Sequence, residues 1–247
     1  AIARSTVGFT GADLENLLNE AALLAAREGK TKIGLKDIDN AFLKVIMGNE
    51  KKNRVITEHE RKITAYHEAG HALTSRVLPT QDPVQQVSIV PRGRAGGFTL
   101  NMPKEDKYYN TKQQMEEELI VLLGGRVAEK LIMDDISTGA SNDLERATAT
   151  ARNMITRYGM SDESDMVAME TVTNQYLGGD TSLACSAETQ SKIDAQVVEL
   201  VRKQHEKALA ILKDNRGKLD ELASYLYEHE TITGEEFMRI LNENAST

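Results

Sequence analysis

His67-Glu68-Ala69-Gly70-His71 concentrates more potential chemistry than any other stretch of this chain. Residues four apart on a helix share a face, so His67 and His71 can aim two imidazole nitrogens at one point. Neutral imidazole binds zinc at ~2.0–2.1 Å, and a site with three protein ligands keeps a fourth position open for catalysis. Glu68 follows the first imidazole, where it can hydrogen-bond a water at that open position. Zinc lowers the pKa of such a water towards ~7 and polarises a scissile carbonyl, while the glutamate carries the proton to the leaving amine. The pattern is that of a zinc endopeptidase. The bland alternative is a helix with two core or solvated histidines.

A third ligand is required. A metzincin would carry glycine at 74 and histidine at 77, but Thr74 and Val77 stand there. A thermolysin-like site wants a helical Glu roughly 20 residues downstream, where the chain has Pro91. The first helical acidic candidates are Glu116 to Glu118, Glu129, Asp134, Asp135, Asp143 and Glu145. Asp143 follows Ser137-Thr138-Gly139-Ala140-Ser141-Asn142 at a helix start, where a carboxylate also suits the helix dipole. Glu129 could equally orient an imidazole from behind. Residue chemistry alone leaves both open.

The elements that must position these groups are mostly helical, given long stretches rich in Ala, Leu, Glu and Lys. Thr10 caps a first helix, with Asp13 completing an imperfect capping box and Gly29 stopping it. A second helix runs from Asp37 to Met47, and the polar stretch Gly48 to Arg54 reads as a boundary. Thr57 caps the helix that carries the histidines, and Pro79 ends it. Val87-Ser88-Ile89-Val90 and Phe98-Thr99-Leu100 are short β-like runs forming a hairpin around Arg92 to Gly97. Helical patterns resume at Thr111–Met133, Asn142–Tyr158, Ala187–Lys213, Leu219–Glu228 and Gly234–Glu243. Residues 161–186 read as a long irregular loop. Gly124-Gly125 in mid-helix costs about 1 kcal/mol each against Ala, which implies tight packing against a neighbour.

Composition narrows the partners. A net charge of −8 argues against a nucleic-acid binder, because phosphate neutralisation needs a basic face. The single Cys185 excludes a disulfide framework and a cysteine zinc site, so any metal is held by His and carboxylates. No apolar run approaches the ~20 residues of a membrane span, and the stretch itself is expected to be soluble. Beginning at Ala1 in mid-pattern, it reads as a piece of a longer protein. No phosphate-cradling Gly-x-x-x-x-Gly-Lys-Ser/Thr loop occurs, so ATP hydrolysis by this stretch alone is not expected.

His67 to His71, Gly124-Gly125-Arg126-Val127-Ala128-Glu129 and Ser137 to Leu144 resemble the peptidase part of the FtsH family of bacterial, membrane-anchored, ATP-dependent zinc metalloproteases. Gly8-Phe9-Thr10-Gly11-Ala12-Asp13-Leu14 and Asn19-Glu20-Ala21-Ala22 resemble the end of the family's AAA+ module. Lys51 to Ile56 resembles the junction between the two. The resemblance implies a mainly α fold: a helical AAA+ lid fragment at 1–48, then a zinc metallopeptidase domain with a small β-sheet at 49–247. It makes His67, His71 and Asp143 the zinc ligands, Glu68 the catalytic glutamate and Glu129 a residue behind the ligands. It maps the family's substrate-binding edge strand onto Val87, Ser88, Ile89 and Val90. It further implies polypeptide substrates, a homo-hexamer, and ATP and Mg2+ in the full-length parent. That parent would be anchored in the bacterial inner membrane with this part on the cytoplasmic side. Two rivals stand beside it: an interaction module with a vestigial metal site, and a structural zinc site with His59 as fourth ligand.

Overall fold

The computed structural model describes residues 2, 6–51, 56–93, 95–103, 107–163, 167–172, 181–183 and 185–243. Helix α1 (Gly11–Arg27) starts at Thr10, whose side chain accepts from the Asp13 amide while the Asp13 carboxylate accepts from Thr10 N at 2.8 Å. The capping box is therefore complete, worth about 1 kcal/mol of helix stability. Helix α2 (Leu35–Met47) begins two residues earlier than its periodicity suggests, because Asp37 reaches back to the Gly34 amide at 2.8 Å. Leu17, Ala21, Ala41 and Phe42 form a small apolar cluster between α1 and α2.

Thr57 and Glu60 form a second capping box and launch α3 (Glu58–Val77). Antiparallel strands β1 (Val84–Ser88) and β2 (Phe98–Asn101) follow, then α4 (Lys112–Met133), capped by Thr111. A short 3-10 turn (Thr138–Ala140) leads into α5 (Ser141–Thr156). Strands β3 (Glu170–Val172) and β4 (Thr181–Leu183) pair with each other, so the segment expected to be irregular contains a small ladder. Three-residue strands are too short to print a period on the sequence. Gly178-Gly179-Asp180 lies outside the described residues, as do Lys52–Arg54 of the expected boundary, Val55 after it and Arg94 of the hairpin loop. Helices α6 (Ala187–Asp214) and α7 (Arg216–His229), strand β5 (Thr231–Thr233) and helix α8 (Gly234–Glu243) complete the described residues.

The main core joins α3 to α8 and the three-stranded sheet, with Leu73, Leu119, Met154, Ile193, Leu212, Leu222 and Phe237 fully buried. At its centre α3 and α4 approach so closely that backbones touch. A Cβ on Gly70 would stand 2.5 Å from the Gly124 carbonyl oxygen, and one on Gly124 would stand 2.7 Å from Thr74 Oγ1. The propensity cost of these glycines is smaller than the overlap any side chain would create.

The sheet order is β2-β1-β5. This order bears on the expected substrate strand, Val87 to Val90. Ser88 pairs with Phe98 on one side and Thr231 on the other, Ile89 N donates to the Glu230 carbonyl at 2.9 Å, and Val90 N donates to Ser88 Oγ at 3.2 Å. Val87 to Val90 therefore lie in or beside a central strand with no open edge. The missed neighbour was β5, again only three residues long. The open edge belongs to β2, whose Leu100 also packs on the α1–α2 cluster, as does Met102 beyond it.

Candidate metal centre

Two of the three converging side chains come from α3, where the four-residue spacing stacks His67 and His71 on the face turned towards α4. Both are buried, and their Nε2 atoms stand 3.0 Å apart. Asp143 is the third residue of α5, where the helix N-terminus favours a carboxylate. Its Oδ2 lies 3.3 Å from His67 Nε2 and 3.4 Å from His71 Nε2. Among the described residues these three are the one group of His, Cys, Asp or Glu side chains whose ligand atoms converge within 4.8 Å. Tetrahedral donors at zinc–nitrogen lengths of ~2.0–2.1 Å stand ~3.3 Å from one another, so the triangle has the dimensions of one face of a tetrahedral zinc shell.

The tautomers reinforce the fit. His67 Nδ1 lies 2.7 Å from Glu129 Oε1, and His71 Nδ1 lies 2.7 Å from the Val121 carbonyl oxygen. Carbonyls and ionised carboxylates only accept, so each Nδ1 carries the proton and each Nε2 presents its lone pair. Two lone pairs and a carboxylate oxygen then face one another, an arrangement that needs a cation between them. Without a metal the cluster takes protons instead. Burial works against charge on His67, but Asp143 and Glu129 outweigh it and push its pKa up to about 10. Burial likewise works against ionisation of Asp143, and the hydrogen bonds of both imidazoles hold it well below the usual carboxylate range.

Glu129 sits behind this triangle. Its Oε1 takes His67 and its Oε2 takes the Ser137 amide at 2.9 Å, tying the ligand helix to the loop that leads into α5. Gly125 supplies the room: a Cβ there would stand 2.5 Å from His71 Nε2 and 2.6 Å from His67 Cε1. The glycine pair in mid-helix was legible in the sequence, though its second member faces imidazoles rather than backbone. His59 is exposed on the first turn of α3 and outside the cluster, which removes it as a fourth protein ligand.

Glu68 is 6% exposed, and burial raises its pKa despite the two neighbouring imidazoles. Its Oε2 accepts from Thr99 Oγ1 on β2 at 2.9 Å, a contact that no sequence signal announced. The site opens into a cleft of about 1260 Å³ lined by β2, the turn around Thr138 and the end of α2 at Ile46 and Met47. No helix among the described residues is long and apolar enough to cross a membrane.

The sequence is similar to known proteins. The family model for peptidase family M41 matches residues 54–240, and that for the AAA+ lid domain matches residues 1–40. The ATP-dependent zinc metalloprotease FtsH of Caldicellulosiruptor bescii is 51% identical over 99% of this chain and 40% of its own length. The ATP-dependent zinc metalloprotease FtsH of Thermotoga maritima is 47% identical over 98% of this chain and 40% of its own length. That of Clostridium perfringens is 47% identical over 97% of this chain and 34% of its own length. The chain thus spans about two-fifths or less of the relatives it matches. The metallopeptidase match covers most of the chain and includes every residue of the converging cluster: the chain belongs to peptidase family M41, as a zinc metallopeptidase domain preceded by an AAA+ lid segment.

Proposed function

We propose that this chain is the proteolytic portion of an ATP-dependent zinc protease and cleaves unfolded or membrane-extracted polypeptides internally. The observation that carries this reading is the convergence of His67 Nε2, His71 Nε2 and Asp143 Oδ2 beside a buried Glu68 at the floor of an open cleft. His67, His71 and Asp143 hold the zinc, which when bound supplies a Lewis acid for the scissile carbonyl and makes water nucleophilic near neutral pH. Glu68 takes a proton from the attacking water as its oxygen bonds to the carbonyl carbon. It then delivers that proton to the amide nitrogen as the C–N bond breaks. Glu129 keeps His67 in the tautomer that presents Nε2.

An extended substrate pairs with the open edge of β2, because that strand lines the cleft and has β1 on one side only. Main-chain hydrogen bonds to a strand edge tolerate many sequences, which suits a degradative enzyme. We place the division between lid and peptidase at residues 48–49. The family likeness supports a hexameric ring, an ATPase core using ATP and Mg2+ elsewhere in the parent, and inner-membrane anchorage with this portion on the cytoplasmic side.

The test pairs zinc content with hydrolysis of an unfolded, labelled polypeptide. About one zinc per chain and chelator-sensitive cleavage are expected, with Glu68→Gln keeping the metal while turnover falls by about 10²- to 10⁴-fold. Cleavage that survives chelation, or full turnover in Glu68→Gln, overturns the reading.

A further inference from the structure

Glu68 is held by a residue outside its own helix. Thr99 Oγ1 lies 2.9 Å from Glu68 Oε2 and 3.1 Å from the Glu68 backbone oxygen, reaching both the carboxylate and the main chain of one residue across 31 residues of sequence. No other hydrogen bond to the Glu68 carboxylate is made among the described residues, so this hydroxyl alone ties it down. On the other flank the backbone of Gly97 presses close: a Cβ there would stand 2.9 Å from both Cγ and Oε1 of Glu68. The segment 97–99 therefore grips the glutamate from two sides, one by contact and one by a directed bond.

We propose that Thr99 is a positioning residue for Glu68, fixing the general base relative to the strand edge that receives the substrate. The proposal rests on the functional reading above. A glutamate has three side-chain torsions, and an untethered carboxylate spreads over several staggered wells. Proton transfer demands a carboxylate within hydrogen-bond reach of water and, later, of the leaving nitrogen. Thr99 stands opposite Val87 in the β1–β2 ladder, where valine would satisfy the strand equally well. The hydroxyl is what valine lacks, and its one proton is shared between the carboxylate and the backbone oxygen of Glu68, the carboxylate being the nearer. Because Thr99 belongs to β2, a polypeptide seated on β2 is registered against the strand that also orients Glu68. One element then sets both the scissile bond and the group that protonates it.

Thr99→Val keeps the shape and removes the donor; Thr99→Ser keeps the donor. Wild type, both variants and Glu68→Gln are compared for zinc content, thermal midpoint, and kcat and KM on an unfolded labelled polypeptide. Thr99→Val is expected to lose roughly 10- to 100-fold in kcat with KM and zinc content unchanged, and Thr99→Ser to recover most of it. A second readout needs no turnover. In zinc-free protein carrying ¹³C at the glutamate carboxyl carbons, the Glu68 resonance (assigned by its loss in Glu68→Gln) should move in Thr99→Val and return in Thr99→Ser. Should Thr99→Val fail to fold, Thr99→Ala takes its place in both measurements. Unchanged kcat in the donor-less variant, a loss seen only in KM or zinc, or an unmoved carboxyl resonance overturns the positioning role. Equal turnover in wild type and Glu68→Gln overturns instead the functional reading beneath it.

Discussion

Glu129 Oε1 lies 2.7 Å from His67 Nδ1 while its other oxygen takes the Ser137 amide, so one carboxylate orients an imidazole and anchors the loop before α5. Asp143 approaches the opposite nitrogens, 3.3 and 3.4 Å from the two Nε2 atoms. The two acids are therefore expected to fail differently. Glu129→Gln weakens zinc binding by roughly 10- to 100-fold, as loss of an orienting partner does. Asp143→Asn removes the carboxylate charge that faces both Nε2 atoms and is expected to weaken it further. Competition with a chromogenic chelator measures both, and the reverse order would exchange the roles.

Gly125 is a prediction in which local and tertiary preferences oppose each other. Alanine gains about 1 kcal/mol of helix propensity over glycine. Its methyl would nonetheless stand 2.5 Å from His71 Nε2. Gly125→Ala should lower zinc affinity by about tenfold or more while leaving the fold intact, the size of loss seen when imidazole orientation is disturbed. Metal titration beside a circular dichroism spectrum checks it; unchanged affinity would mean the imidazoles move freely.

Gln204 on α6 is completely buried, yet neither its Oε1 nor its Nε2 has a partner among the described residues. An unsatisfied buried polar group costs about 1–3 kcal/mol. Gln204→Met, close in volume and without those groups, should therefore raise stability by about 1–3 kcal/mol in urea denaturation. A lower midpoint would show that the amide is satisfied in solution.

Tyr66 links pH to stability at the alkaline end. Burial raises its pKa to about 12, assisted by the hydrogen bond its hydroxyl donates to Asp220 Oδ1 at 2.9 Å. An unfolded tyrosine titrates near ~10, so the folded chain keeps its proton longer. This contribution is complete below the unfolded value and disappears as pH rises through the interval up to about 12. Wild type should lose thermal midpoint more steeply across that interval than Tyr66→Phe does. Parallel slopes would remove Tyr66 from the alkaline transition.

Much of this molecule was legible in its sequence because much of it is local. Thr10, Thr57 and Thr111 cap their helices through contacts within one turn. The face shared by His67 and His71 follows from helical periodicity alone, as does the position of Glu68 one residue along. Those residue types at that spacing already specify a metal and a proton carrier. The remainder depends on chain closure that no period encodes. Glu129 and Asp143 are equally plausible carboxylates until α4 and α5 pack, and packing sends one to Nδ1 and the other to both Nε2 atoms. The family resemblance makes Val87 to Val90 an edge strand, but three residues of β5 take the other side of β1 and leave β2 as the rim of the cleft. Thr99 looks like any strand threonine until the sheet lies against α3 and its hydroxyl meets Glu68. Short-range geometry put His67, Glu68 and His71 together; long-range packing brought Asp143 to the two imidazoles, left β2 at the rim and set Thr99 against Glu68, because each requires segments distant in sequence to meet.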